Sequence, residues 1–279
     1  MITFDQSRFT RATGAFFTHF GLPENPPPEI GSLRELYRAF TYLPYENVSK
    51  IIRSHEPAEN GIPLLRTPDE VLEGYLVSRL GGTCFSLTQC LFSLLSSCGF
   101  NTYRVLGDMR HGPNIHCAVI VALAGSKYLC DAGYLLPEPV FLDPGSRSVH
   151  KGTIYTYLLD PDREAGVYNM HTRTHAGELR WRYRIRDRAV DDPEFEFLWR
   201  QSFDLPMNRQ LVLSRNLEDA QVYVHKNHLR LKLPDGRKNR NIRTSLGQSI
   251  EELFGIQAQL VECAYTHVEK LKEAARKKS

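Results

Sequence analysis

Over roughly the first hundred residues the apolar positions recur every three to four places, and beyond them the period shortens to two. "FTRATGAFFTHFGL" has helical spacing and runs out at Gly21, with Pro23 just beyond. "SLRELYRAFTYL" predicts a second helix, in which Ser32 is the N-cap and Glu35 completes a capping box ahead of Leu33, Leu36, Tyr37 and Phe40. "TPDEVLEGYLVSRL" predicts another, capped by Thr67 with Pro68 in the first helical position. The apolar run after Cys84 predicts one more, closing at Cys98-Gly99, where glycine accepts the left-handed conformation.

The middle of the chain reads as strands. "TYRVLGDM", "HCAVIVAL", "KYLCDAGY" and "ELRWRYRIRD" alternate or run apolar over short lengths between Gly, Pro and Asn. "GTIYTYLLD", "EFLWRQSF", "RQLVLSRN", "DAQVYVHKN" and "HLRLKLPDG" continue the strand pattern towards residue 235. The end, "SIEELFGIQAQLVECAYTHVEKLKEAARKK", predicts one or two helices with a basic last turn. Helices, then strands, then mixed segments make an α+β protein of about three parts.

Composition changes this picture little. With 42% hydrophobic and 24% charged residues, the 279-residue chain has material for a real core without staples. A net charge of +3 is too small to argue for nucleic acid. No apolar run approaches a membrane span, and "MITFDQSRFT" has no signal-peptide pattern. The six cysteines sit mostly inside apolar runs, with no CxxC and no zinc spacing, so a reduced cytoplasmic protein without metal is expected. Neither dinucleotide nor ATP phosphate loops occur. His171 and His175 fall in a loop-and-strand pattern and read as surface histidines; the alternating Arg180 to Arg188 read as a strand with one basic face, either solvated or an anion site.

Candidate chemistry centres on "RLGGTCFSLTQCLFSLL". Cys84 follows Gly81 and Gly82 and opens a helix, where unpaired N–H groups favour a thiolate. A nucleophilic thiol needs an imidazole. If "HCAVIVAL" and "KYLCDAG" form a hairpin with "ALAG" as a four-residue loop, His116 and Asp131 stand directly opposite on one face. A two-residue loop at Gly125-Ser126 keeps both on one face but separates them.

These residues and others resemble the arylamine N-acetyltransferase family. "LRELYRAFTYLPYENVSK" is similar to its segment ending in Pro-aromatic-Glu-Asn. "RLGGTCFSLTQCLFSLLSSCGF" resembles its Arg-Gly-Gly-aromatic-Cys signature, "NIHCAVIV" and "YLCDAGY" its His and Asp segments, and "IEELFGI" a segment near the end of its third domain. The resemblance implies a papain-like cysteine transferase core: a helical bundle (residues 1–99) carrying the nucleophile, a β-barrel (100–195) carrying His and Asp, and an α/β lid with a C-terminal helix (196–279). It implies Cys84, His116 and Asp131 as catalytic, and Tyr45, Thr83, Phe85, Tyr134 and Leu135 as substrate-binding. It further implies ping-pong transfer of an acyl group from acetyl-CoA or another acyl-CoA, through a cysteine thioester, to a small-molecule amine. A longer acyl chain delivered by an acyl carrier protein, or a non-catalytic scaffold, are the alternatives; neither nucleic acid nor membrane is an expected partner. The chain also departs from the pattern. Leu80 stands where the family has arginine, so Arg79 must turn in to meet Glu46 beside the site or leave it without that partner. Thr83 replaces an aromatic residue, Ser86 and Thr88 replace Glu and Asn, and "GYLLPEP" replaces a glycine-rich turn, with Leu135 and Leu136 narrowing it.

Overall fold

The computed structural model describes residues 3–56 and 63–276. Five helices, α1 (Gln6–Phe20), α2 (Ile30–Phe40), α3 (Val48–Arg53), α4 (Pro68–Ser78) and α5 (Cys84–Ser97), precede the main sheet, with a two-residue strand β1 (Tyr45–Glu46) among them. The expected caps hold at α4, where Thr67 and Glu70 form a capping box with Pro68 at the first helical turn, and at Gly21 and Gly99, whose φ values are 64° and 81°. α2 starts earlier than its sequence pattern suggests. Glu29 is its N-cap and makes no side-chain capping bond, while Ser32 lies inside the helix and is buried. The helix begins as soon as the proline run ends, and Ile30 packs against the core, so burial outweighs the better cap.

Eight strands follow: β2 (Asn101–Met109), β3 (Gly112–Leu123), β4 (Ser126–Cys130), β5 (Val140–Phe141), β6 (Ser148–Lys151), β7 (Thr156–Pro161), β8 (Val167–Arg173) and β9 (Leu179–Arg186). They form one antiparallel sheet in the order β5-β4-β3-β2-β9-β8-β7-β6. The two ends of this order approach each other, with Ser148 Oγ donating to the Phe141 carbonyl at 2.5 Å, so the sheet is a nearly closed barrel.

α6 (Asp192–Gln201) replaces the strand expected at "EFLWRQSF". Asp191 accepts from the Glu194 N–H at 2.8 Å, a proline stands in the first turn, and Phe195 and Trp199, four apart, are both buried. The expected boundary between residues 195 and 196 falls inside this helix. A second antiparallel sheet has the order β1-β10-β11-β12-β13, with β10 (Val212–Asn216), β11 (Gln221–His225), β12 (His228–Leu233) and β13 (Gly236–Asn241). α7 (Leu246–Phe254) and α8 (Ala258–Arg276) pack on it; Lys277 and Lys278 of the expected basic turn lie outside the described residues, as do Met1 and Ile2. No described helix is long and apolar enough to cross a membrane.

Two features tie the parts together at one place. β1, from the helical region, pairs through Tyr45 and Glu46 with Ser214 and Leu213 of β10. Val48 and Ile51 of α3 share a buried cluster with Ile250, Phe254 and Val261.

Candidate active site

Cys84 is the first residue of α5 and is 9% exposed. Its approach is set by Gly81 and Gly82. A Cβ on Gly81 would fall 1.8 Å from the Pro44 carbonyl oxygen, so only glycine lets the segment run beside β1. The N-cap Thr83 makes no side-chain capping bond, and the first backbone bond of the helix runs from Leu87 N to Thr83 O at 3.0 Å. The N–H groups at the start of α5 are thus left for an anion at the sulfur.

His116 lies on β3, opposite Gly107 of β2. It is buried, and its Nε2 lies 2.7 Å from Asp131 Oδ2, the acid being fully enclosed. Asp131 Oδ1 also accepts from the Tyr134 N–H at 2.8 Å. With Nε2 engaged by the carboxylate, the second ring nitrogen, Nδ1, is the one left for Cys84. Burial alone would lower the imidazole's pKa, but Asp131 and Cys84 overcome it and push it up to about 10.

The hairpin register differs from both sequence expectations. Leu123 pairs with Ser126 and Val119 with Cys130, around a two-residue turn of Ala124 (φ 48°) and Gly125 (φ 79°). Asp131, just past the end of β4, is therefore a diagonal neighbour of His116 on the same face. Period-two parity survives the shift, and the side chains close the gap. The same register carried onward brings Gly133 towards His116. A Cβ there would sit 2.7 Å from Cys84 Cβ and 3.4 Å from His116 Cε1, so the absence of a side chain lets thiol and ring meet.

Cys117 is the neighbour the sequence reading passed over. It is fully buried in one cluster with Cys84, Phe85, Phe195 and Trp199, and Thr88 Oγ1 donates to its carbonyl at 3.1 Å, pinning β3 to α5. Hydrogen bonding from Cys117 is the main influence holding the Cys84 thiol well below the ordinary range, with His116 and Lys50 adding to it against burial. Burial pushes the Cys117 thiol well up, so it remains the neutral donor. Tyr183 closes the other side, its ring centroid 4.7 Å from that of His116.

Glu46 does not take Arg79 as its partner. Arg79 caps α4 in the left-handed conformation (φ 57°), with its guanidinium 5.2 Å from the Tyr75 ring centroid. Arg66 fills the role instead. Its Nη1 lies 3.7 Å from Glu46 Oε1 and donates to the Gly81 carbonyl at 2.5 Å. Burial pushes the Glu46 carboxyl up and the Arg66 guanidinium down, and each opposes the other's shift. Arg66 stands eighteen residues before Cys84, and no spacing rule links it to the site.

Cys84 and His116 open on a cavity of about 730 Å³ whose lining also includes Tyr45, Thr83, Phe85, Tyr134 and Leu135. Leu136, expected to narrow the same region, is instead fully buried in the main core. Leu135 holds a positive φ of 60°, and its carbonyl accepts from Asn216 Nδ2 at 2.8 Å, tying this turn to the second sheet. Of the five alternating arginines, Arg182 lines the cavity, while Arg180, Arg184, Arg186 and Arg188 pair with Glu178, Asp162, Asp108 and Glu194. His171 lies 3.0 Å from Asp160. No group of three or more metal-ligating side chains occurs among the described residues.

Helices, a nearly closed antiparallel barrel and a second sheet backed by helices define an α+β protein. Residues 29–261 match the family model described as N-acetyltransferase, and the chain belongs to the arylamine N-acetyltransferase family. The fold is similar to that of the arylamine N-acetyltransferase from Mycobacterium abscessus (TM-score 0.78, 17% identity, 96% of this chain and 99% of that one). It is also similar to that from Salmonella typhimurium (0.74, 20%, 92% and 97%) and to that from Nocardia farcinica (0.73, 21%, 88% and 89%). Among curated proteins none matches the chain.

Proposed function

We propose that this protein transfers an acyl group from a CoA thioester to an amine nitrogen by a two-stage reaction through Cys84. The observation that carries the reading is the 2.7 Å contact between His116 Nε2 and Asp131 Oδ2, which engages one ring nitrogen and leaves the other for the thiol in the cavity the two residues share. In the first stage the Cys84 thiolate attacks the thioester carbonyl carbon. The oxyanion that forms is stabilised by the free N–H groups at the start of α5. The carbon–sulfur bond to CoA then breaks, and the His116 imidazolium gives its proton to the departing thiolate. In the second stage an amine attacks the Cys84 thioester. Cys84 leaves as a thiolate, and the nitrogen's surplus proton returns to His116. Each half-reaction thus restores the charge state the other needs.

Tyr45, Thr83, Phe85, Tyr134 and Leu135 act in this reading as the walls that hold acyl group and acceptor. The cavity is far larger than an acetyl group, so the donor is best found with a panel of acyl-CoA chain lengths. Intact-protein mass spectrometry after incubation with each donor should show one acyl group on the wild type and none on Cys84→Ala. Equal acylation of the two proteins, or of neither by any donor, would overturn the proposal.

A further inference from the structure

Among the cations lining the cavity that the proposed reaction does not use, Lys50 is the buried one. Lys50, on α3, is the only lysine among the buried described residues, at 8% exposure, and it lines the same cavity as Cys84. Its Nζ donates to the Ser202 carbonyl at 2.9 Å and to Ser202 Oγ at 2.5 Å, and lies 4.5 Å from the Phe203 ring centroid. An ammonium has three donors. Ser202 accepts two, and no described group accepts the third.

No carboxylate balances this charge by an ion pair. The described lining includes Lys50, His111, Arg182 and Lys232, and neither aspartate nor glutamate. Arg182 and Lys232 have their own partners in Thr172 and Gln221. A buried ammonium without a counter-charge is unfavourable. Burial accordingly lowers Lys50 to about 8, with Cys84, Cys117 and Asp204 opposing that shift. Asp204 makes no ion pair with it, and Cys117 stays a neutral thiol. The Cys84 thiolate is the counter-charge that matters, and it disappears once the sulfur carries an acyl group.

We propose that Lys50 forms an anion subsite beside Cys84, which receives a carboxylate carried by the substrate. The inference rests on the acyl-transfer reading for the identity of that substrate, and the carboxylate can be supplied by either of its two components. It stands at the far end of the acyl group, or on the ring of an aromatic amine. The phosphates of CoA do not fill the role, because the pantetheine arm separates them from the reacting carbonyl.

Two pairs, each matched in carbon skeleton, test this. Succinyl-CoA and butyryl-CoA differ in a terminal carboxylate, and thioester formation on Cys84 is followed by mass spectrometry. 4-Aminobenzoate and 4-aminobenzamide differ in the same way on the acceptor side, and each is measured for protection of Cys84 against iodoacetamide. In at least one pair the wild type should favour the carboxylate by about tenfold or more. Lys50→Met and Lys50→Gln should collapse that ratio, and the pair that responds identifies the source. A wild type indifferent in both pairs, or a preference that survives both substitutions, overturns the subsite; a merely structural lysine would leave the ratios unmoved. Should no CoA thioester acylate Cys84, the acyl-transfer reading falls, yet the protection measurement still decides the role of Lys50.

Discussion

The lowered pKa of the Cys84 thiol comes first from a neighbour on the adjacent strand. Hydrogen bonding from Cys117 is the largest influence lowering the Cys84 thiol, so Cys117→Ala should move the inflection of iodoacetamide labelling to higher pH. An unshifted profile would assign the low pKa to His116 and the helix start. Since Cys84 is held well below the thiol range and His116 is raised to about 10, thiolate and imidazolium coexist between the two titrations. Acylation should therefore rise as pH climbs through the lower step. It should decline near pH 10, where the ring loses the proton that the departing thiol needs. Arg66 supports the site from beneath. Arg66→Met leaves Glu46 buried without its ion partner, and urea denaturation should show a loss of about 3–5 kcal/mol. Arg79→Met removes the contacts with Tyr75 and His19 and should cost no more than about 1 kcal/mol. The reverse order would restore Arg79 to the role its sequence position suggests.

At the level of elements, the hairpin of β3 and β4 sets the distance between base and acid. Its turn places an alanine, Ala124, at a φ of 48°, where a side chain other than Asn or Asp is strained. Ala124→Asn should accordingly stabilise the protein by about 1 kcal/mol, read as a higher melting temperature, without moving Cys84 labelling kinetics. A drop in stability would show that the turn is not the one described. Here the sequence was legible only to its parity. His116 and Asp131 were expected on one face and are, because side chains alternate with period two whatever the loop. The register depends on whether Ala124 tolerates the left-handed region, which local pattern does not decide. α6 was misread for a related reason. "EFLWRQSF" has the aromatic content of a strand, and the signal that decides, Asp191 capping Glu194 N with a proline in the first turn, lies just ahead of it.

Across the whole molecule, the cavity forms where three sets of elements meet. Tyr45 comes from β1, Cys84 from α5, His116 from the barrel and Tyr223 from the second sheet. Because β1 pairs with β10 and α3 shares a buried cluster with α7 and α8, the helical region and the second sheet have no independent cores at this seam. Unfolding in urea should therefore show one transition, with the fluorescence of Trp181 and Trp199 and far-ultraviolet circular dichroism coinciding. Two separated transitions would mean that the terminal helices stabilise a unit of their own.

The sequence by itself determined the order of helices and strands except at α6, the α+β class and the parity that puts His116 and Asp131 on one face. Those follow from periodicity, caps and turn chemistry, which act over a few neighbouring residues. Only the tertiary structure decided that Arg66 rather than Arg79 meets Glu46, that Cys117 lies beside Cys84, that Gly133 clears the space between sulfur and ring, and that Lys50 lines the cavity without a carboxylate partner. Each of these joins positions far apart along the chain or separated by a turn. Their energies come from burial and Coulomb attraction at short range, and no local pattern encodes which distant partner arrives.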